Sequence, residues 1–137
     1  TSFKVELLKG VHNFTATTGN TFKIALYDSD ATLGASTTAF TTSEEITNTS
    51  GTAYTSGGAT LTSVTPVASS TTALCDFADV SFSSATFTAN GALIYNSSAT
   101  NAAVAAIAFG SDKTATNGTF TIQFPAADAS NAIIRLA

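Results

Sequence analysis

Alternating apolar and polar side chains restrict the fold of this chain more than any other feature of its sequence. In residues 21–27 the large apolar side chains occupy every second position, which is the period of a half-buried β-strand. Residues 119–124 repeat the pattern, and Pro125 is expected to end that strand because it has no N–H to donate to a neighbour. Residues 3–7 alternate in the same way. The sequence therefore predicts amphipathic strands in all three places.

Shorter apolar runs extend the β pattern along the chain. The sequence predicts weaker strands at residues 59–65, 74–82, 85–89, 92–95 and 132–136. Pro66 is expected to stop the first of these. Asn90-Gly91 predicts a type I′ hairpin turn, since both residue types tolerate a positive φ. Asn117-Gly118 predicts a similar turn before the strand that follows it.

Two segments carry helix signals. Residues 41–45 contain Ser/Thr-x-x-Glu spacings that are typical of a helix start, but Asn48 and Gly51 follow too soon for more than a short helical turn. Residues 101–109 are rich in Ala, which favours helix by propensity. Their spacing also fits a strand with every second residue from Ala103 to Phe109 on one face. We predict a strand there, because the neighbouring segments on both sides are predicted strands.

The length of 137 residues fits one domain, which can bury a core without disulfides or metals. The single cysteine, Cys75, excludes an internal disulfide framework and is expected to be a buried, inert thiol. Thr is abundant and turn signals recur at short spacing, as in a sandwich or barrel. We therefore predict an all-β fold: a single antiparallel β-sandwich over residues 1–137, immunoglobulin-like or jelly-roll-like, with at most one short helical turn.

Composition excludes several partners. Only 10% of the residues are charged although 44% are hydrophobic, so the surface must be built mostly from Thr, Ser and Asn. Such a surface does little to repel other proteins and suits one that a neighbour covers. With a net charge of −4 and five Lys and Arg residues, the chain cannot form the basic stripe that nucleic acids or anionic membranes require. It has no apolar run near the ~20 residues that span a bilayer, and no signal peptide is expected at its start.

The titratable residues form no recognisable reactive motif. His12 is the only histidine, and no Gly-x-Ser-x-Gly occurs for it to act with, so we interpret it as a surface or hairpin residue. Asp28 and Asp30 follow a strand, where Asp commonly caps its own backbone. Weak calcium binding is the alternative there, although a calcium site needs about six or more oxygens. Asp76 and Asp79 are spaced i, i+3 in a predicted strand and are expected on opposite faces.

Other chemistry is equally unsupported by the linear sequence. Glu44, Glu45 and one Asp could meet in space as the paired carboxylates of a glycoside hydrolase. Gly57-Gly58 lacks the following Lys and helix of a phosphate-binding loop. Four glycosylation patterns are expected by chance in a chain so rich in Thr, Ser and Asn, at Asn13, Asn48, Asn96 and Asn117. We predict that the chain is not an enzyme and has no catalytic, cofactor-binding or metal-binding residues.

Two long stretches rich in Thr, Ser, Gly and Ala, residues 31–42 and 48–58, are predicted as loops. Loops longer than about 12 residues in a compact domain are usually functional or ordered by a partner, so we expect these two to form the contact surface. If the chain binds glycans, Tyr27, Tyr54 and Tyr95 are the candidates for stacking on sugar rings, because the chain has no Trp.

Residues 51–61, Gly-Thr-Ala-Tyr-Thr-Ser-Gly-Gly-Ala-Thr-Leu, resemble a Gly-Thr-Gly-Tyr-x-x-Gly-Gly-x-x-Leu signature of small proteins encoded in the genomes of tailed bacteriophages. Three further segments agree with the same family in the same order, at residues 82–95, 109–112 and 118–125. Ala53 stands where the family commonly has Gly. Asn90 stands where it commonly has Arg, so a contact made by that Arg is not carried over to this chain.

Members of this family look like virion structural components. The resemblance implies a capsid decoration, or cement, protein on the outer surface of the phage head that stabilises contacts between capsomers. Its implied partners are the major capsid protein and further copies of the chain, as a homo-oligomer. Trimers are common among such proteins, but nothing in this sequence fixes a subunit count. The alternatives are a tail or fibre structural component that binds host surface glycans and, as an enzyme, a polysaccharide hydrolase with converging carboxylates.

Overall fold

The computed structural model describes residues 2–50 and 54–137. Its elements, in chain order, are α1 (Ser2–Leu8), β1 (Phe22–Tyr27), β2 (Ala59–Thr60), β3 (Ser63–Ser69), β4 (Thr72–Phe77), β5 (Val80–Asn96), β6 (Ala102–Ile122) and β7 (Ile134–Leu136). β-strands dominate these residues, and the predicted all-β class is confirmed.

Two antiparallel sheets pack against each other. The first has the strand order β2-β1-β5-β6 and the second has the order β3-β4-β7. Side chains from both sheets form the main core, in which the rings of Phe22 on β1 and Phe77 on β4 have centroids 5.6 Å apart. The predicted sandwich is therefore confirmed, while the choice between an immunoglobulin-like and a jelly-roll-like arrangement stays a prediction.

The β5–β6 hairpin is the longest feature of the fold. Its strands have 17 and 21 residues, and four register shifts interrupt their pairing. Irregularities of this kind bend and twist a ribbon. β6 curves so far that the ring centroids of Phe109 and Phe120 lie 6.2 Å apart, whereas a straight strand would separate residues at that spacing by about 36 Å. The hairpin therefore wraps around the core.

β1 is buried on both faces. One face joins the main core, and Ala25 and Tyr27 on the other face join a second, smaller cluster. The predicted loop at residues 31–42 covers this cluster, and its Phe40 stacks on Tyr95 with ring centroids 4.6 Å apart. The loop that was expected to be a contact surface therefore also closes the apolar face of the first sheet.

Residues 3–7, predicted as a strand, lie instead in helix α1, so that prediction is wrong. Phe3 and Leu7 both pack against the main core, and they lie one helical turn apart, on the same side of the helix. Over five residues, an alternating pattern and a helical pattern both place residues 3 and 7 on the buried face. Val5 decides between the two periods, because a strand would bury it with residues 3 and 7, whereas it is 51% exposed.

Asn90-Gly91 does not form the predicted hairpin turn, because β5 continues through it. Gly91 pairs with β1 on one side and β6 on the other. A Cβ at Gly91 would lie 2.8 Å from the carbonyl oxygen of Ile107, so the glycine permits a close approach of two strands. The turn that joins β5 to β6 lies at residues 97–101.

Asn117-Gly118 also lies inside a strand rather than in a hairpin turn. Asn117 has the expected positive φ, 48°, but it accompanies a register shift in the pairing of β6 with Ala85 and Phe87. Positive φ at a bulge satisfies the same residue preference as a turn. The positive φ of Asn117 was therefore readable from the sequence, whereas the matching conformation at Gly118 and the reversal of the chain were not.

Several predicted boundaries also differ. β3 runs through Pro66 at a register shift between Val64 and Val67, on an edge strand where Pro is tolerated. The predicted strand at residues 74–82 is divided between β4 and β5. The predicted strands at residues 85–89 and 92–95 both belong to β5.

Residues 43–44 form a turn in which Glu44 has a φ of 57°, not a helical turn. The strand predicted for residues 101–109 is confirmed as the first part of β6, although Ala103 faces the smaller cluster instead of sharing a face with Phe109. A register shift between Ile94 and Tyr95 explains this difference, because it changes which side chains of β6 face the core.

Candidate functional site

His12 is buried, so its interpretation as a surface histidine is wrong. Its Nδ1 lies 3.0 Å from Asn96 Nδ2, and its Nε2 lies 3.1 Å from a carboxylate oxygen of Glu6. An amide nitrogen can only donate, so Nδ1 accepts and Nε2 carries the proton that it donates to Glu6. Asn96 is fully buried and also donates to Asn20 Oδ1 at 3.0 Å. These side chains connect α1 to the first sheet.

Asp28 and Asp30 meet Glu44 in an exposed cluster of carboxylates. One oxygen from each residue lies within 4.8 Å of the others. Asp28 Oδ1 accepts from the N–H of Asp30 at 3.0 Å, as expected for an aspartate that caps its own turn. Glu44 reaches the pair because its carbonyl accepts from the N–H of Asp28 at 3.1 Å. Three carboxylates supply fewer oxygens than calcium requires, so weak calcium binding here stays the alternative to the prediction of no metal site.

Asp76 and Asp79 satisfy backbone donors at separate places. Asp76 Oδ1 accepts from the N–H of Phe77, and Asp79 Oδ1 accepts from the N–H of Phe124, each at 2.8 Å. Cys75 is buried as expected, and burial raises the pKa of its thiol to about 11. The thiol is therefore protonated at neutral pH and is a poor nucleophile.

Glu45 is a buried carboxylate held by three donors. Its Oε1 accepts from the Tyr54 hydroxyl at 2.7 Å and from the N–H of Gly57 at 2.6 Å, and its Oε2 accepts from the Ser56 hydroxyl at 2.7 Å. The Tyr54 hydroxyl accepts in turn from the N–H of Leu26 at 3.0 Å. Such donors compensate for the cost of burying a charge. We call Glu45, Tyr54, Ser56 and Gly57 the glutamate cage.

The glutamate cage explains the Gly-rich segment that follows Tyr54. The Tyr95 hydroxyl donates to the carbonyl of Gly57 at 2.7 Å. Gly58 has a φ of +70°, and a Cβ there would clash with the backbone of Ile24, at 2.6 Å from its carbonyl carbon. Only glycine fits this position. Residues 54–58, which belong to the segment that resembles the phage signature, therefore have a structural role in packing against β1 and β5.

The three tyrosines considered for sugar stacking, Tyr27, Tyr54 and Tyr95, are all buried. Burial raises the pKa of Tyr27 to about 12, and its hydroxyl donates to the carbonyl of Thr41 at 2.6 Å. Burial also raises the pKa of Tyr54 far above its ordinary value, and the hydrogen bond to Glu45 raises it further. None of the three rings presents an open face to a sugar.

The outer face of the β5–β6 hairpin carries a row of polar side-chain pairs that cross from one strand to the other. The pairs and their separations are Ser81–Thr121 (2.8 Å), Thr86–Asn117 (3.4 Å), Thr88–Thr114 (2.8 Å) and Asn90–Asp112 (2.8 Å). We call these eight residues the polar row. Asp112 is its only ionisable member. Between these positions on β5 lie the buried side chains of Phe82, Ala85, Phe87 and Ala89, so one face of the hairpin builds the core and the other meets solvent.

A second segment runs beside the polar row. The side chain of Asn48 makes two bonds to the backbone of Thr88: its Oδ1 accepts from the Thr88 N–H at 3.4 Å, and its Nδ2 donates to the Thr88 carbonyl at 3.3 Å. The N–H of Ser50 donates to the carbonyl of Thr86 at 3.1 Å. The predicted contact loop at residues 48–58 therefore begins next to the row, while its residues 51–53 lie outside the described residues. Side chains already held in pairs lose less conformational entropy when a partner docks on them.

Within residues 2–50 and 54–137, every buried side-chain nitrogen and oxygen has a hydrogen-bond partner. The buried polar groups therefore act on one another and on the backbone. No helix in this part of the chain combines the length and the apolar character needed to cross a membrane. Comparison of the chain with protein-family models, with curated proteins and with solved structures finds no match.

Proposed function

We propose that this chain is a head decoration, or cement, protein of a tailed bacteriophage. It binds the outer surface of the capsid through the polar row and stabilises contacts between capsomers. The polar row carries the proposal, because it is an exposed, nearly neutral and pre-ordered surface on a rigid hairpin. Hydroxyl and amide groups of this kind can exchange water for donors and acceptors on another protein.

The charge of the polar row favours a large assembly over a single tight complex. Its one carboxylate, Asp112, accepts from Asn90, and the neighbouring Lys113 donates to Ser111 at 3.0 Å. Contacts without strong ion pairs are weak one by one, but a symmetric shell repeats them and turns weak affinity into avidity. The major capsid protein and further copies of this chain are the partners that such a surface suits. The resemblance to phage virion proteins supports the same reading.

The main alternative is a tail or fibre component that binds host glycans. Proteins that bind sugars commonly offer an aromatic face for the ring to stack on, since aromatic side chains combine apolar area with a polar edge. Here Tyr27, Tyr54 and Tyr95 are used inside the fold. Their burial supports a location on the head over a glycan-binding location on the tail.

Cryo-electron microscopy of the virion that carries this chain tests the location directly. We expect density for hundreds of copies on the outer surface of the head, with the β5–β6 hairpin facing the shell. Density confined to the tail, or a few copies at its tip, would defeat the proposal.

A binding measurement on heads stripped of the protein tests the surface. Thr114→Lys places a charge in the middle of the polar row and is expected to weaken binding at least about tenfold, which is ~1.4 kcal/mol. Thr71→Lys is the matched control, because Thr71 is exposed in the turn between β3 and β4. Equal binding by both variants would assign the contact to another surface.

A further inference from the structure

An open apolar cavity of about 460 Å³ lies between the N-terminal segment and the second sheet. Leu7 and Phe14 line it on one side, and Pro66, Ile134 and Leu136 line it on the other. Most of the other lining side chains are also small or apolar. A cavity with this apolar lining fits apolar side chains of a partner better than a charged ligand.

Four exposed apolar side chains belong to the wall of this cavity or adjoin it in the chain. They are Leu8, which is 90% exposed, Leu136 (56%), Val67 (53%) and Val11 (36%). Leu136 lines the cavity itself, and each of the other three directly follows a lining residue in the chain. Several exposed apolar side chains at or next to the wall of an apolar cavity are typical of a site of association.

We propose that two copies of this chain associate through this surface, with Leu8 of each copy inserted into the cavity of the other. Leu8 ends α1 and stands beside Leu7, which forms part of the cavity wall. The protruding side chain and the cavity are therefore neighbours on one surface. A two-fold interface requires this arrangement, because both copies contribute the same patch and each residue contact occurs twice.

Charge and area are compatible with a second copy as the occupant. Glu6 has a quarter-exposed side chain and Lys9 is exposed, so the patch presents one charge of each sign on either side of Leu8. Glu6 of one copy can therefore pair with Lys9 of the other across a two-fold axis. Covering the cavity mouth and the exposed apolar side chains on both copies would bury on the order of 1,000 Å², near the lower limit for a specific interface. We expect a weak dimer, with a dissociation constant on the order of 10–100 µM, because interfaces of this size class are commonly transient.

This inference concerns self-association and stands whether or not the chain binds a capsid. A dimer would present two polar rows and so strengthen attachment to a symmetric shell. Failure of dimerisation and failure of capsid binding are measured separately, the first with the free protein and the second with stripped heads.

Sedimentation equilibrium of the purified chain from about 1 µM to 1 mM, a range that brackets the expected constant, tests the proposal. We expect the average mass to rise from that of one chain to that of two. Leu8→Lys should weaken the dimer at least about tenfold. The thermal midpoint of the diluted monomer should not change, because the side chain is exposed and a cation at a helix C-terminus is favourable. Ala73→Phe, which fills the cavity from an exposed position on β4, should weaken the dimer to a similar extent.

Ala108→Lys is the control, because it adds the same charge at an exposed position on β6. It should leave the dimer intact. A wild-type chain that stays monomeric at 1 mM overturns the proposal, as does a dimer that Ala108→Lys weakens as much as Leu8→Lys. A trimer that survives both Leu8→Lys and Ala73→Phe overturns it as well, and would place self-association on another surface.

Discussion

The glutamate cage and the polar row are built from similar groups, hydroxyls, amides and a carboxylate, but they stand in different surroundings. Glu45, Tyr54 and Gly57 of the cage are buried, Ser56 lies at its solvent edge, and the bonds to Glu45 are 2.6 to 2.7 Å long. The polar row lies on the exposed face of the hairpin. When a cage partner is removed, no solvent replaces it, whereas water can replace a partner in the row. The contrast separates polar residues that the fold needs from polar residues that are free for function.

Replacing Gly58 should break the cage most severely. Gly58→Ala forces a Cβ against the backbone of Ile24 at a φ of +70°, so the segment that carries Ser56 and Gly57 must move away from Glu45. We expect a loss of more than about 4 kcal/mol in the free energy of unfolding, or no folded protein. Urea titration measures the loss. Gly34→Ala is the control, because a Cβ at Gly34 meets nothing within 4 Å, and an unchanged Gly58→Ala protein would contradict the role of this glycine.

Removing the carboxylate should have the next largest effect. Glu45→Ala leaves the Tyr54 hydroxyl and the N–H of Gly57 without their shared acceptor, and we expect a loss of about 3 kcal/mol. Glu45→Gln keeps one acceptor oxygen and should lose about half as much. Glu44→Gln, at the neighbouring exposed residue, should change stability by less than about 0.5 kcal/mol, because it removes one charge from a cluster of like charges. Chemical denaturation measures these changes in the free energy of unfolding. Equal losses for Glu44→Gln and Glu45→Gln would contradict the distinction between an exposed Glu44 and a buried, hydrogen-bonded Glu45.

The cage also shows where sequence reasoning reaches its limit. Glu44 and Glu45 are adjacent, and the sequence predicts the same roles for both, as helix-start or hydrolase carboxylates. The chain turns between them with Glu44 at a φ of 57°, so one glutamate meets Asp28 and Asp30 and the other enters the core. Which of two neighbouring residues is buried depends on segments far along the chain, here Tyr54 to Gly57, and no local pattern encodes that choice.

Local patterns did predict features that depend on a few neighbouring residues. The strand at residues 21–27, the strand at residues 101–109 and the capping role of Asp28 follow from period and turn chemistry. Asn90-Gly91 failed as a turn because pairing on both sides of β5 outweighs a dipeptide preference. The polar row had a readable signal, since Ser81, Thr86, Thr88 and Asn90 alternate with apolar residues along β5. Its cross-strand partners required the register, which bulges shift.

Alkaline pH should affect the glutamate cage and not the polar row, because the core tyrosines ionise at high pH and the hydroxyls and amides of the row do not. Burial raises the pKa of Tyr27 to about 12, and that of Tyr54 rises further, while an unfolded tyrosine ionises near pH 10. Stability held by the neutral phenols is therefore complete below about pH 10 and is lost as the pH rises from 10 to about 12. Thermal midpoints measured across this range should fall with pH. Tyr54→Phe should lower the midpoint at pH 8 but make the fall shallower.

A parallel slope for Tyr54→Phe and the wild type would contradict a titrating Tyr54. The thiol of Cys75 also titrates in this range, with a pKa raised to about 11. The comparison is therefore made in a Cys75→Ala background, so that the change in slope reports the phenol alone.

The smallest effect should come from the polar row. Thr88 and Thr114 bond only to each other through their hydroxyls at 2.8 Å among the contacts described, and exchanging both for Val removes donor and acceptor together while keeping a β-branched side chain. We expect the double variant Thr88→Val with Thr114→Val to change the free energy of unfolding by less than about 0.5 kcal/mol. Tyr54→Phe, which deletes a single buried hydroxyl from the glutamate cage, should cost about 1–3 kcal/mol. If the double variant in the row were the more destabilised of the two, the row would belong to the fold, and its hydroxyls would not be free to serve a partner.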